Sequence, residues 1–363
     1  MARRVLIVGT GLIGGSVGLA LRAAGDSYVT GSDRDPSHAQ RAAEIGALDA
    51  TASDLSTACR DADVIVVATP VGQVVPTVAA IAATAPDATV VTDVGSAKAP
   101  IVAEAERLLG PRRPFVGGHP MAGTEGEGID AARADLFDGA LWILTPTATT
   151  DPGAFRTVNS LVASIGARTL ALDPQIHDRL VALVSHLPYA VSTALADLAG
   201  EEGDERVFQA AAGTFRDVTR TAGSNPAMWR DILAANREAV LRELDAFGAR
   251  LGSFRDALAA QDWDTVDATI ARARRARDRF PLKGERGPSD PVMIEVPVPD
   301  RAGVLASITT TLGDGGINIE DLSMEHTPAG GMVRLVVDGH DLAGRAAERL
   351  RAHGFSPTIV EAR

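Results

Sequence analysis

One stretch of the chain, GGHPMAGTEG from Gly117 to Gly126, sets a histidine in a segment too rich in glycine to pack as core. Five glycines between Gly117 and Gly128 flank His119, and a proline follows it. Such backbone lets another molecule come close, and imidazole is the side chain best suited to accept a proton near neutral pH. We therefore take His119 as a candidate acid–base group, the alternative being a histidine satisfied in a tight turn.

A nucleotide-binding fingerprint lies upstream of this histidine. VLIVGTGLIGGS places Gly9, Gly11 and Gly14 directly after an apolar strand, with Leu12 and Ile13 opening a helix. The first glycine permits the tight turn, the second lets a pyrophosphate reach the backbone, and the third allows the helix to pack closely on the sheet. The spacing predicts a dinucleotide on the N-terminus of this helix.

The acidic residue expected of such a site is Asp33, which ends the next predicted strand, 19 residues beyond Gly14. Its carboxylate would accept hydrogen bonds from the adenosine ribose and would repel the 2′-phosphate of NADP. Arg34 beside it weakens this preference, since a guanidinium binds phosphate. We expect NAD as the cofactor, with NADP less favoured.

Two more loops follow predicted strands, at the edge where open α/β sheets bind ligands. Thr69 and Pro70 end one strand, and the DVGSAK loop with Ser96 ends another. Ser96 is a small donor within reach of the nicotinamide or the substrate, and capping of the following helix is its alternative role.

Arginines suited to anchor a carboxylate lie in the second half of the chain. FRDVTR places Arg216 and Arg220 four residues apart, so that on a helix they share one face. A solvated helix face is the alternative interpretation of either arginine alone.

The surrounding elements divide the chain into three domains and a linker. Residues 1–170 alternate short apolar runs with helical patterns and predict a Rossmann-type α/β domain with a parallel sheet covered on both faces. Residues 171–280 carry helical periodicity and predict an all-α helical domain for substrate binding and dimerisation. Residues 281–291 read as a linker, and residues 292–363 predict a small α+β domain with ferredoxin-like βαββαβ topology.

Composition excludes several classes of function. The net charge of −12 argues against a nucleic-acid binder. Cys59 is the only cysteine, so no cysteine-based metal site can form, and we expect no metal. No segment reads as a signal peptide or a membrane span, and we expect a soluble cytoplasmic protein.

Five motifs in order resemble the prephenate/arogenate dehydrogenase family of tyrosine biosynthesis: GTGLIGGS, DVGSAK, GGHPMAGTEGEG, SHLPY and FRDVTRTAGSNPAMWRDI. PDRAGVLASITTTLGDGGINIEDL resembles an ACT domain, a regulatory module that often binds amino acids. The resemblance implies NAD-linked oxidative decarboxylation of prephenate to 4-hydroxyphenylpyruvate, or of arogenate to tyrosine.

The resemblance also assigns roles to residues. His119 matches the histidine that takes the proton of the ring hydroxyl, and Ser96 a serine that contacts the same hydroxyl. Residues matched to substrate binding are Arg220, Arg216, His186, Tyr189 and Trp229. Many relatives read SHLPH, whereas this chain ends the motif with Tyr189, which keeps a donor but does not become cationic.

In the C-terminal module, Asp300, Gly303 and Asn318 border the place where ACT domains hold an amino acid, and we expect feedback inhibition by tyrosine. A module used only for assembly is the alternative. Two remoter readings of the whole chain are a β-hydroxyacid or imine reductase and a non-enzymatic amino-acid sensor. A reductase of that class relies on a lysine or aspartate in the helical part, and no lysine occurs between Lys98 and Lys283.

Overall fold

The structure is a computed structural model, and it describes residues 2–123, 126–278, 291–299, 304–313, 315, 317, 319, 321–327 and 330–360. Its contacts divide the chain into two compact units, residues 1–253 and residues 254–363. The three predicted architectures, a Rossmann-type sheet, a helical region and a small antiparallel sheet, are all present.

The first unit is built on an eight-stranded sheet in the order β3-β2-β1-β4-β5-β6-β7-β8. Its strands are β1 (Arg3–Val8), β2 (Ser27–Ser32), β3 (Ala50–Thr51), β4 (Val64–Val67), β5 (Val90–Asp93), β6 (Phe115–Pro120), β7 (Leu141–Thr145) and β8 (Arg168–Ala171). Strands β1 to β6 pair in parallel, so the carboxyl ends of β1, β4, β5 and β6 lie side by side at one edge. Every loop that the sequence singled out in this domain follows one of these strands or β2.

Helices cover both faces of this sheet, which is why its central strands are apolar throughout. They are α1 (Leu12–Ala24), α2 (Pro36–Glu44), α3 (Leu55–Arg60), α4 (Val71–Ala82), α5 (Ala99–Leu109) and α6 (Pro152–Ser164). In β4, Val64 and Val66 enter the core on one face, and Ile65 and Val67 enter the core on the other. A strand buried on both sides shows no alternation of apolar and polar residues.

One pairing departs from the predicted parallel sheet. Strand β7 runs antiparallel to β6, while β8 runs parallel to β7. The link between β6 and β7 holds a single short 3-10 helix, Ile129–Ala131, among its described residues. Because a parallel connection needs a crossover, usually a helix, this loop returns the chain in the opposite direction.

The helical region follows β8. It comprises α7 (Pro174–Val181), a π-helical turn (Ala182–His186), α8 (Leu187–Glu201), α9 (Glu205–Ala210), α10 (Gly213–Thr219), a 3-10 turn (Arg220–Gly223), α11 (Pro226–Ala235), α12 (Arg237–Ala259) and α13 (Trp263–Arg277). Helices α11 and α12 are divided at Asn236, which is buried. The division between the two compact units falls within α12.

The continuous helical stretch Pro174–Glu201 corrects the expectation that no segment approaches a membrane span. Its 28 residues are long and apolar enough to cross a bilayer by length and composition alone. One such helix is weak evidence, because core helices of globular proteins pass the same test. This one carries His177, Asp178 and His186, which are buried and hydrogen-bonded to other elements.

The second unit contains a four-stranded antiparallel sheet in the order β10-β11-β9-β12. Its elements follow the predicted βαββαβ sequence: β9 (Pro291–Val298), α14 (Val304–Gly313), β10 (Asp321–Thr327), β11 (Gly330–Asp338), α15 (His340–Ala352) and β12 (Thr358–Val360). Alternate residues of β9, such as Val292 and Ile294, are buried, as the period-two pattern predicts. The predicted effector residues Asp300, Gly303 and Asn318 lie outside the described residues.

Candidate active site

The loop after β1 shows why Gly9 and Gly14 have no room for a side chain. Gly9 has a φ of +98°, and a Cβ there would lie 2.6 Å from the carbonyl oxygen of Ala68. A Cβ on Gly14 would lie 1.9 Å from the carbonyl oxygen of Gly9. Gly11 is the N-cap of α1, and because it has no side chain it cannot cap the amides of the first turn, which includes Leu12 and Ile13. A close turn that leaves helix amides uncapped fits a pyrophosphate.

Asp33 holds this loop in place from inside the protein. Its Oδ2 accepts hydrogen bonds from the Thr10 amide at 2.8 Å and the Thr10 hydroxyl at 3.2 Å, and its Oδ1 accepts one from the Asp35 amide at 3.0 Å. Since each carboxylate oxygen accepts two hydrogen bonds, Oδ1 retains capacity for a ribose hydroxyl. Arg34 is exposed beside it.

The loop after β4 adds a polar group to the same edge. Thr69 has a buried hydroxyl with no hydrogen-bond partner among the residues that the structure describes, and the exposed Pro70 precedes α4. A buried unpaired hydroxyl is costly unless a ligand satisfies it. The helix amides and the Thr69 hydroxyl as donors, with Asp33 as an acceptor, form a set of polar groups that fits a dinucleotide.

His119 lies half-buried near the end of β6 and belongs to a chain of hydrogen-bonded side chains. Its Nδ1 is 2.8 Å from Nε2 of His177, and Nδ1 of His177 is 2.8 Å from Oδ1 of Asp178. The two oxygens of Asp178 accept the backbone amides of Lys98 at 2.7 Å and Ala99 at 2.8 Å, at the start of α5. We call His119, His177 and Asp178 the histidine relay.

A buried ion pair clamps the backbone immediately before His119. Lys98 Nζ donates to Asp93 Oδ2 and, at 2.8 Å, to the carbonyl oxygen of Gly118. Asp93 Oδ1 accepts the amide of Gly118 at 3.2 Å. Both charged side chains are fully buried. The peptide groups around Gly118 are thus held on both sides, and the direction in which β6 presents His119 is fixed.

The surroundings of His119 favour its neutral form. Burial is the main reason that its pKa lies well below the ordinary value, and the neighbouring His177, Lys98 and His186 add to the effect in that order. A neutral imidazole has one nitrogen free to accept a proton. Burial likewise lowers the pKa of Lys98, with Asp93 opposing the shift.

A second group of side chains surrounds the SHLPY motif. The Asn236 amide donates to the carbonyl oxygen of Asp178 at 2.8 Å and to Nδ1 of His186 at 3.2 Å. Tyr189 stacks on Trp229 with ring centroids 3.7 Å apart, and His186 meets Trp229 edge-on at 6.0 Å. Burial lowers the pKa of His186 to about 4. His186, Tyr189 and Trp229 therefore form a neutral, partly aromatic surface, which we call the wall.

The π-helical turn that carries His186 has a cause in the sequence. Pro188 follows within the first turn of α8 and lacks the amide hydrogen that would pair with the carbonyl of Val184. The helix widens just before it, and the Leu187 amide donates to the carbonyl of Ala182, five residues back. Single π turns of this kind are frequent at functional sites.

The remaining predicted site residues take distinct places. Ser96 is half-buried in the loop after β5, but α5 begins at Ala99, and its first amides are capped by Asp178. The alternative role of Ser96 as a helix cap is therefore wrong. Arg216 is exposed on α10.

Arg220 opens the 3-10 turn that follows α10 and is also exposed, so the two arginines are not on one continuous α-helix. The hydroxyl of Ser192 on α8 accepts the Ala222 amide at 3.0 Å, which ties this turn to α8.

Sequence reasoning missed a set of buried polar side chains that the structure brings next to His119: His177, Asp178, Lys98, Asp93 and Asn236. Their signal in the sequence was weak, because α7 also carries the polar residues Gln175 and Arg179, so His177 and Asp178 do not stand out there. Among the residues that the structure describes, no group of three or more His, Cys, Asp or Glu side chains is arranged to hold a metal ion.

Comparisons with known proteins agree with this geometry. Family models match three consecutive parts of the chain: the nucleotide-binding domain of prephenate dehydrogenase over residues 17–171, the prephenate dehydrogenase dimerization domain over residues 173–272, and an ACT domain over residues 292–355. A prephenate dehydrogenase of Bacillus subtilis is 32% identical over 99% of this chain and 98% of its own length. A cyclohexadienyl dehydrogenase of Zymomonas mobilis is 34% identical over 76% of this chain and 95% of its own length.

Solved structures are similar over about three quarters of the chain. A prephenate dehydrogenase of Aquifex aeolicus in complex with hydroxyphenyl propionate and NAD+ is 31% identical, with a TM-score of 0.72 over 76% of this chain and 98% of that chain. A Synechocystis arogenate dehydrogenase is 32% identical, with a TM-score of 0.68 over 76% of this chain and 99% of that chain. The chain has a nucleotide loop, a neutral histidine at the same sheet edge, and relatives that match nearly its whole length. It is therefore an NAD-dependent oxidoreductase and belongs to the prephenate dehydrogenase family.

Proposed function

We propose that this protein converts prephenate to 4-hydroxyphenylpyruvate, with His119 as the proton acceptor. The observation that carries the proposal is the position of His119. It lies near the carboxyl end of β6, at the same edge of the sheet as the nucleotide loops after β1 and β4. Its environment keeps it neutral. A general base must be deprotonated at the working pH and must reach the proton that it removes, and the neutral state of His119 at the ligand-binding edge of the sheet supports this role.

The reaction balances with one substrate, one cofactor and no metal. NAD+, when bound, would supply the acceptor for the hydride that leaves ring carbon C4. His119 accepts the proton of the C4 hydroxyl as that carbon becomes a carbonyl. The bond between C1 and its carboxylate then breaks, carbon dioxide leaves, and the electron pair enters the ring and makes it aromatic. The proton on His119 returns to the C4 oxygen to give the phenol, so the net products are 4-hydroxyphenylpyruvate, carbon dioxide and NADH.

Other side chains would bind and orient the substrate. Arg220 and Arg216 are exposed cations suited to the two carboxylates of a dianionic substrate. Ser96 lies in the loop after β5, next along the sheet from the strand that carries His119, and would contact the C4 hydroxyl. The wall of His186, Tyr189 and Trp229 would exclude water from the ring.

Arogenate is the second candidate substrate, because a relative of nearly the same identity is an arogenate dehydrogenase. Arogenate differs from prephenate in carrying an amino group where prephenate has a keto group. NADH formation measured with prephenate, with arogenate and with neither decides between them. We expect a higher kcat/KM with prephenate, and a preference for arogenate would overturn this assignment while leaving the chemistry at C4 unchanged.

Two variants separate the proton acceptor from the anchor. We expect His119→Asn to lose kcat by about 100-fold or more with KM nearly unchanged, because general base catalysis contributes about 10²–10⁴-fold. We expect Arg220→Ala chiefly to raise KM. Steady-state kinetics of NADH formation measure both, and a His119→Asn variant that changed only KM would remove His119 from the proton-transfer step.

We also propose a cytoplasmic homodimer regulated by tyrosine. The matched domain of the helical region is a dimerization domain, and α7 and the π turn expose Ile176, Leu180, Leu183 and Val184. An exposed apolar stripe at helical spacing favours burial against a second copy. Sedimentation velocity of the full chain measures this, and a monomer at micromolar concentration would contradict it. The ACT domain match supports an amino-acid effector.

A further inference from the structure

We infer that His177 and Asp178 are positioning residues that fix the tautomer of His119, so that Nδ1 of His119 carries hydrogen and Nε2 is the nitrogen left free for the substrate. This inference rests on the proposed role of His119 as proton acceptor. It concerns two buried residues that would act on the substrate through a third.

The assignment starts at Asp178, where hydrogen-bond donors can be identified. Each of its carboxylate oxygens accepts a backbone amide of α5, at 2.7 and 2.8 Å. These amides also form the N-terminus of the helix, where the macrodipole favours negative charge. Asp178 is therefore an ionised acceptor, so the contact of 2.8 Å between its Oδ1 and Nδ1 of His177 requires the hydrogen to be on His177.

The same reasoning carries along the relay. In the neutral tautomer of His177 that carries hydrogen on Nδ1, the other ring nitrogen, Nε2, is an acceptor. Nε2 lies 2.8 Å from Nδ1 of His119, so the hydrogen of this contact belongs to His119. Neutral His119 is left with a free lone pair on Nε2. If the chain of hydrogen bonds ran the other way, Nε2 of His119 would carry hydrogen and could not accept a proton.

The relay is also built to hold its geometry. His177 is fully buried, and its ring meets the His119 ring edge-on at 67° with centroids 5.0 Å apart. Asp178 is fixed at three points, because α5 binds both carboxylate oxygens and Asn236 donates to its carbonyl at 2.8 Å. Both α7, which carries the pair, and β6, which carries His119, are regular elements, and sites on such elements hold their geometry better than sites on loops.

The relay also stabilises the positive charge that His119 gains during the reaction. When His119 takes a proton, its Nδ1 hydrogen bond points toward His177 and, beyond it, the Asp178 carboxylate. Burial is the main factor that opposes the protonation of His119, and a positive charge on His177, Lys98 or His186 would oppose it further. The Asp178 carboxylate, whose charge also favours the cationic form of His186, is the compensating anion.

The direct test is the tautomer itself, read by ¹⁵N NMR of protein labelled at its seven histidines, with His119→Asn identifying the His119 signals. We expect Nδ1 of His119 to show the shift of a protonated nitrogen and Nε2 that of an unprotonated one at neutral pH. The opposite pattern overturns the inference even in a fully active enzyme. If instead the enzyme proves inactive on both dienols, the proposed function fails while the tautomer remains measurable.

Two variants test the consequence for catalysis. His177→Leu fills the buried site without an acceptor, and we expect kcat to fall about 10- to 100-fold with KM unchanged, as when other outer partners of a functional histidine are removed. His177→Gln keeps an amide oxygen for His119 and an NH₂ group for Asp178, and we expect it to recover most of the lost kcat. His340→Leu, at an exposed position, is the matched control and should leave kcat unchanged.

Thermal unfolding of each variant reports its folding, and the ¹⁵N spectrum distinguishes a positioning role from a structural one. In His177→Leu we expect the hydrogen of His119 to redistribute toward Nε2. A variant with wild-type kcat, or a glutamine variant no better than leucine, would overturn the positioning role. Because the wild-type spectrum stands by itself, the inference stays testable even if His177→Leu folds poorly.

Discussion

Gly118 has no room for a side chain, although its φ angle does not require glycine. A Cβ built on it would lie 2.6 Å from the carbonyl oxygen of Asp93, 2.9 Å from the indole nitrogen of Trp142 and 3.2 Å from the hydroxyl of Thr92. Real Cβ atoms do not approach backbone oxygen so closely. The glycines before His119 therefore serve the close packing of β6 against β5 and β7, which lets Lys98 and Asp93 reach the peptide groups of Gly118.

We predict that Gly118→Ala lowers the free energy of unfolding by about 1–3 kcal/mol, the usual range for overpacking a tightly packed core. Two backbone strands would have to separate, and the hydrogen bonds of Lys98 and Asp93 to Gly118 would lengthen. Urea unfolding followed by tryptophan fluorescence measures the change. Gly123→Ala is the control, since a Cβ there meets no atom within 4 Å. Equal stabilities of the two variants would contradict the packing argument.

At this scale the sequence revealed which residue types were present but not their partners. The spacing of Gly9, Gly11 and Gly14 predicted the nucleotide turn, because a tight turn followed by a helix is formed by residues close in sequence. The partners of His119 are 58 residues away at His177, and the cap of α5 comes from Asp178, 80 residues from Lys98. No local pattern specifies such contacts. The sequence therefore suggested the neighbouring Ser96 as the helix cap.

At the scale of elements, the helix formed by α7, the π turn and α8 is the structural link between the base and the substrate wall. It contributes His177 and Asp178 to the relay and His186 and Tyr189 to the wall, on turns that are offset by the π insertion. Asn236, at the break between α11 and α12, bonds both parts. The position of the wall relative to His119 therefore depends on this one helix keeping its wide turn.

The burial of His186 predicts how the free energy of unfolding depends on pH. The pKa of His186 falls from 6.5 to about 4 on folding because of burial, so between these pH values the unfolded chain binds a proton that the folded chain does not. The free energy of unfolding should therefore decrease as pH falls from 6.5 to 4, and His186 alone would account for about 3 kcal/mol of the decrease.

His186→Gln tests this, because glutamine keeps an acceptor for Asn236 but does not titrate. Urea unfolding at several pH values should show a shallower loss of stability for this variant than for the wild type. His340→Gln, at an exposed position, should follow the wild type. Parallel curves for His186→Gln and the wild type would show that His186 does not titrate as its burial requires.

At the scale of the whole molecule, the C-terminal module is an addition to a catalytic part found without it. The Bacillus subtilis relative matches 99% of the chain, whereas the Aquifex aeolicus and Synechocystis structures match 76% of it over nearly all of their own length. The ACT match, at residues 292–355, lies outside the two prephenate dehydrogenase matches at residues 17–171 and 173–272. Such a division is typical of regulation joined to an enzyme that folds independently.

We predict that the full chain is inhibited by tyrosine, and that deleting residues from Pro291 onward leaves kcat and KM for prephenate nearly unchanged and abolishes the inhibition. The physical reason is linkage, since an effector changes activity only through a domain that binds it differently in two states. NADH formation at increasing tyrosine concentration measures both proteins. A full chain that ignores tyrosine would refute the prediction, and a truncated chain that is still inhibited would place the tyrosine site in the catalytic part.

The sequence by itself determined the fold class, the nucleotide turn and the histidine that carries the proposed chemistry. These features follow from residue spacing along the chain, because turns, helices and buried strands are specified by neighbours. Only the tertiary structure decided what surrounds that histidine: the relay to Asp178, the ion pair of Lys98 with Asp93, and the antiparallel return of β7. Buried polar groups must find partners wherever the fold brings them together, and these partners are distant in sequence, so their pairing is a property of the packed molecule.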